Sequence, residues 1–139
     1  MLAFLKRLLD ASESSTHASD ILRDMCPGCT TTKKNGYLSL LERHADTDGA
    51  VYELEYVSTP DGRRAIAFCR LNPWSSTPNA GVDYHVGHVA PNGFLCLGGG
   101  LKSQRLADSP HSLEYVIKRA RYWCSAFSFF KEHGSFPQL

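Results

Sequence analysis

Hydrophobic residues along this chain change their spacing twice, which divides it into a helical start, a strand-rich middle and a helical end. Leu2, Leu5 and Leu9 share one helical face, with Phe4 and Leu8 beside them and Lys6 and Arg7 opposite, the spacing of an amphipathic helix. After the polar run 12–19, residues 20–25 predict a second helical piece that buries Ile21, Leu22 and Met25. Cys26-Pro27-Gly28-Cys29 ends it, because proline and glycine favour a turn.

From Tyr37 the period shortens. Residues 37–41, 50–58 and 64–71 predict three strands, the second alternating Val51, Leu54, Tyr56 and Val57 with Glu53 and Glu55, the third carrying Ile66, Phe68 and Leu71. Asp46-Thr47-Asp48-Gly49 and Thr59-Pro60-Asp61-Gly62 are compact turn sequences, and hairpin connections imply an antiparallel meander. Residues 72–81, with Pro73 and Pro78, resist regular structure, and residues 82–88 read as a fourth strand.

The last segment returns to a helical period. Ser109 suits a cap and Pro110 a first helical position. Leu113, Val116, Ile117, Ala120, Cys124 and Phe127 follow on one face, Tyr115, Tyr122 and Phe129 form a neighbouring stripe assigned to the core, and the helix stops near Gly134. The expectation is a single α+β domain over residues 1–139: N-terminal helix, four-stranded antiparallel meander, cysteine-bearing loop, long C-terminal helix.

Composition narrows the function classes. A length of 139 residues at 42% hydrophobic suits one compact domain. A net charge of +1, with both signs interspersed, provides no basic footprint for nucleic acid. The first residues place their charges inside the apolar run, unlike a signal peptide, and no run has the length of a membrane span. Five cysteines, an odd and uneven set, point to free thiols in a reducing cytoplasm.

One of those thiols stands in an unusual setting. Cys96 lies between Leu95 and Leu97, after the turn signal Asn92-Gly93 and before Gly98-Gly99-Gly100. In extended backbone the two leucines share one face and the thiol takes the other. If the leucines anchor the segment, Cys96 is presented as a nucleophile, with unobstructed glycines beside it; the alternative is a small buried hydrophobe, the usual fate of a free cysteine. A thiolate both attacks and leaves well, so it can accept an acyl group from one thioester and pass it on. His88 either tunes that thiol or fixes the loop through backbone hydrogen bonds. His85 reads as an ordinary strand residue.

The element order and the Cys96 stretch together resemble the ubiquitin-conjugating enzyme family over about residues 36–130. Pro73 and Pro78 match the family's proline-bearing segment, His88 its histidine, Asn92-Gly93 its turn, Cys96-Leu97 its active cysteine and following leucine, and Ser109-Pro110 with Leu113 the start of its later helix. The resemblance implies a carrier of a ubiquitin-like protein, loaded by an activating-type enzyme and discharged onto a target-protein amine. It names Cys96, His88 and Asn92 as catalytic residues, asks for no cofactor, and makes the N-terminal helix with Lys6 and Arg7 the docking surface for the activating partner. His88 departs from the family pattern: Val89 and Ala90 follow it where Pro-Asn is usual, so Asn92 either substitutes for the missing asparagine or, as its place beside Gly93 suits better, occupies the turn. The chain ends soon after one long helix and in this is similar to the bacterial members of ubiquitin-like conjugation and antiphage operons; in that setting the resemblance implies a cGAS-like nucleotidyltransferase or a phage component as target. The rival expectation is a non-catalytic module that binds a ubiquitin-like protein.

Cys26 and Cys29 stay outside that scheme. As half a zinc site they would need His85 and His88 from far along the chain, as in a zinc-stabilised interaction domain; as a redox dithiol they sit in the wrong context, after a helix. The favoured reading is a turn with inert or partner-facing thiols and no metal, and Cys69 and Cys124 belong to the core. Gly98-Gly99-Gly100-Leu101-Lys102-Ser103 lacks the Gly-Lys step of a phosphate loop, and His44-Ala45-Asp46 lacks the glutamate of a zinc deaminase.

Overall fold

A computed structural model describes residues 17–74, 87–98 and 103–137. The expected first helix, with Lys6 and Arg7, lies outside the described residues. Among the described residues helix α1 takes in 17–25, so residues 17–19 of the stretch read as a polar run are helical. Ala18 and Leu22 are its buried residues, while Ile21 and Met25 are half-buried at the margin. The Cys26 to Cys29 turn ends it as expected.

Strands β1 (Thr31–Lys34), β2 (Tyr37–Ala45), β3 (Val51–Ser58) and β4 (Ala65–Leu71) form one antiparallel sheet in the order β1-β2-β3-β4. The α+β class and the four-stranded meander are therefore as the pattern implied, but the strands differ at both ends. All four residues of β1 are exposed, so no alternation marks it. Its signal is Asn35-Gly36, whose positive φ values of 50° and 80° suit a two-residue hairpin turn. At the other end, residues 82–86 lie outside the described residues, Gly87 is helical, and His88 has a φ of 57°, so the C-terminal end of the expected fourth strand is not extended. Pro73 follows β4, the last strand among the described residues.

Strand β2 runs on beyond Leu41 because Glu42 takes an inward position after Leu38 and Leu40. The charge is tolerated there because Arg121 meets it, a contact between residues 79 positions apart that no local pattern carries. On β3 the inward set is Tyr52, Leu54 and Tyr56, with Val51 and Val57 on the other face.

Helix α2 (Leu113–His133) lies across the inner face of the sheet. Leu113, Val116, Ile117, Ala120, Cys124 and Phe127 are all buried, as their spacing implied. The neighbouring stripe is not core: Tyr115, Tyr122 and Phe129 are 39%, 39% and 40% exposed, because the sheet covers only one side of the helix. Gly134 closes the helix in the left-handed conformation. The N-cap is Ser112, whose hydroxyl accepts from the Tyr115 N–H. Ser109 is buried earlier and donates to the Ala65 carbonyl at 2.6 Å, which ties the approach to α2 onto β4. Ser112→Ala is expected to lower stability by about 1 kcal/mol, the usual value of a capping hydroxyl, read as a shift in the urea midpoint with unchanged slope.

Candidate functional site

The site starts from a tight hairpin. Gly93 N–H donates to the Ala90 carbonyl and Ala90 N–H to the Phe94 carbonyl, both at 2.8 Å, which closes a turn with Pro91 and Asn92 at its corner. Gly93 has a φ of 94°, and a Cβ there would lie 2.4 Å from the Cys69 carbonyl oxygen, so only glycine allows this approach. The approach is used: Cys69 N–H donates to Gly93 O at 2.8 Å and Leu95 N–H to Ala67 O at 3.0 Å. Phe94 pairs with Phe68, their rings 5.8 Å apart and edge-on. The hairpin thus covers the outer edge of β4 and fixes the segment that follows.

That segment carries Cys96. Leu95 and Leu97 are buried at 1% and 5% exposure, and Cys96 between them is only half-buried, so the alternation places the thiol on the outward side. Cys96 N–H donates to the His88 carbonyl at 2.9 Å. Past the cysteine, the Leu97 carbonyl accepts from the Tyr115 hydroxyl at 3.1 Å and the Gly98 carbonyl from His111 Nε2 at 2.9 Å. The two rings stack, with centroids 4.5 Å apart, which braces both donors against each other. His111 and Tyr115 were not legible as site residues, since one had no pattern and the other was assigned to the core.

Cys96 opens into a cleft of about 270 Å³ between its loop, α2 and the chain after Gly134. His88, Arg119, Tyr122, Trp123 and Phe136 line it with the thiol. Trp123 Nε1 donates to the Gly87 carbonyl at 2.9 Å and so anchors the backbone just before His88. The exposed His88 ring meets Phe136 edge-on at 4.9 Å, and Phe136 stacks on Phe130 at 5.3 Å. His88 holds the left-handed conformation without being glycine, a local strain kept in place by these contacts.

Of the three residues named from sequence, Cys96 and His88 share the cleft and Asn92 does not line it. The Asn92 side chain belongs to the turn: Oδ1 accepts from Phe94 N–H at 3.1 Å and Nδ2 donates to Gln104 Oε1 at 2.7 Å. Its carbonyl also accepts from Arg70.

Three of the other thiols are of a different kind, while Cys29 is half-buried like Cys96. Cys26, Cys69 and Cys124 are buried, the last two in the core as their positions implied. Burial pushes the Cys26 thiol up to about 12, with the Glu42 carboxylate adding to it, and burial likewise raises Cys69 to about 12. All five cysteines are free. Among the described residues no cluster of three or more His, Cys, Asp or Glu is placed to hold a metal ion; His85 lies outside them. Nor is any helix among them long and apolar enough to cross a membrane. Comparison with protein-family models, with curated proteins and with solved structures finds no match to this chain.

Proposed function

We propose that the protein is a ubiquitin-conjugating-type acyl transferase of the cytoplasm that carries a ubiquitin-like protein as a thioester on Cys96. The observation that carries this reading is the half-buried thiol held between two buried leucines at the mouth of an open cleft, after an antiparallel meander and before a long helix. Protein-sized donors and acceptors need such a rim, since a deep pocket would exclude them.

The chemistry needs two exchanges. The Cys96 thiolate attacks the carbonyl carbon of the modifier thioester on an activating-type enzyme, a C–S bond forms, and the old C–S bond breaks with its electron pair leaving on the donor sulfur. A target amine then attacks the new thioester, a C–N bond forms, Cys96 leaves as thiolate, and the amine nitrogen loses its proton to water. His111 and Tyr115 hold the two carbonyls after Cys96 and so keep the loop still while both partners approach. An antiphage setting, with a cGAS-like nucleotidyltransferase as target, follows from the resemblance alone.

A second reading keeps the fold and loses the chemistry: a module that binds a ubiquitin-like protein without a covalent bond. The engagement of Asn92 with Gln104 favours it, because the amide expected to assist acyl transfer is used elsewhere. Incubation with the activating enzyme encoded nearby, ATP and its ubiquitin-like protein separates the two on a non-reducing gel. The expected result is an adduct that reductant removes and Cys96→Ala abolishes. An adduct that survives in Cys96→Ala, or complex formation without any adduct by a demonstrably active partner, rejects the enzyme.

A further inference from the structure

The cleft around Cys96 holds a cation that has no carboxylate partner among the described residues. Arg119 is half-buried in its wall, with the guanidinium carbon 5.9 Å from the Tyr115 ring centroid and 5.5 Å from that of Tyr122. Six of the other eleven described lysine and arginine side chains meet a carboxylate, among them Arg121 with Glu42, Arg70 with Glu55 and Lys118 with Glu114. Arg119 meets none among the described residues, and none of the described residues lining the cleft is acidic. Two aromatic rings hold its charge without neutralising it. A cation without a carboxylate partner in a cleft lined mostly by apolar groups is complementary to an anion, and the group lining the same cleft that becomes anionic is Cys96.

We propose that Arg119 stabilises the negative charge that passes through Cys96 during thioester exchange, an assignment that rests on the carrier reading above. In each exchange one unit of charge moves from the attacking group to the carbonyl oxygen of the tetrahedral intermediate and then to the leaving sulfur. A fixed cation in the cleft wall serves the thiolate and the oxyanion alike. It takes over the work expected of Asn92, whose amide is spent on Gln104. The clamp by Tyr115 also links this cation to the loop it serves, because the same tyrosine donates to the carbonyl of Leu97.

The test uses the full chain and two reagents that differ in charge. Iodoacetate and iodoacetamide both alkylate a thiolate, and peptide mapping reads Cys96 apart from the other four thiols. In the wild type the iodoacetate to iodoacetamide rate ratio at Cys96 is expected to exceed that of a small free thiol by about tenfold at low salt and to fall toward it in molar salt, where screening removes the field. Arg119→Gln is expected to abolish the excess and Arg119→Lys to keep most of it. A wild-type ratio equal to the free thiol's, or one that salt leaves unchanged, overturns the assignment without any variant; so does a Gln variant that keeps the excess. A charge-selective Cys96 that forms no adduct with an active activating enzyme leaves Arg119 as an anion site and removes the carrier reading. An adduct formed by a Cys96 with no charge selectivity removes Arg119 alone.

Discussion

Arg121→Met is expected to lower stability by about 3 kcal/mol, because it strands a buried carboxylate. Arg121 grips Glu42 with two nitrogens, Nε to Oε1 at 3.0 Å and Nη2 to Oε2 at 2.6 Å, and also donates to the Met25 carbonyl at the end of α1. The Tyr56 hydroxyl donates to the same carboxylate at 2.7 Å. Glu42 is 7% exposed, so without the arginine its charge has neither water nor a counter-ion. The Arg121 side chain keeps 28% of its surface, which places the cost at the lower end of the range for buried pairs. Urea unfolding reads the loss. The double variant Glu42→Leu with Arg121→Met is expected to recover much of it, since it removes the charge together with its partner; equal losses in single and double variants would contradict the account.

The same pair sets a pH dependence. Burial alone would raise the Glu42 carboxyl, but the hydrogen bonds from Arg121 and Tyr56 outweigh it and hold the group below its ordinary 4.5. A carboxyl lowered in the folded state stabilises the fold fully above its unfolded value and loses that contribution as pH falls through the folded value. The wild type is therefore expected to weaken as pH drops below about 4.5, while the double variant, lacking the group, loses less over the same window. Asp46 moves in the same direction: burial raises it, but Ser128 and the Ala50 and Asp48 amides prevail and hold it low. Some acid sensitivity will thus remain in the double variant.

Gly93→Ala is expected to cost about 3 kcal/mol and to loosen the Cys96 loop. The added Cβ would meet the Cys69 carbonyl oxygen at 2.4 Å, backbone against backbone, in a conformation of φ 94° that alanine resists. Relief requires the hairpin to lift from β4, which breaks the Cys69 to Gly93 and Leu95 to Ala67 hydrogen bonds. Gly36→Ala is the control: its φ of 80° carries the same conformational cost, but nothing lies within 4 Å of its Cβ, so about 1 kcal/mol is expected. Urea midpoints give the two costs, and amide hydrogen exchange at Leu95 and Cys96 reports the loosening. Equal losses at the two glycines would show that backbone conformation acts alone and that the close approach to Cys69 carries no weight.

Much of the fold was legible because its signals are local. The buried face of α2 lies at helical spacing from Leu113 to Phe127, β3 alternates as a half-buried strand does, and β4 is a short apolar run buried on both faces at its start. The errors share a cause. β1 has no apolar residue to mark it, β2 runs past Leu41 through a charge, and the Tyr115 stripe has a core-like composition on a face that the sheet does not cover. At the site, the alternation of Leu95, Cys96 and Leu97 was readable because it involves adjacent residues. His111 and Tyr115 were not, because their contacts reach back 13 and 18 positions to backbone carbonyls, which any sequence possesses.

Adjacent residues therefore determined which segments could be helix or strand, that the thiol of Cys96 opposes two leucines, and that Asn92-Gly93 makes a turn, since periods of 2 and 3.6 and turn preferences are properties of neighbours. Tertiary structure alone decided that Glu42 is inside, that the Asn92 amide is spent on Gln104, and that Arg119 and Phe136 stand across the cleft from the Cys96 loop. The physical reason is that a charge, an amide or a ring acquires its role from what packs against it, and here the decisive partners come from Gln104, the far helix and the chain beyond it.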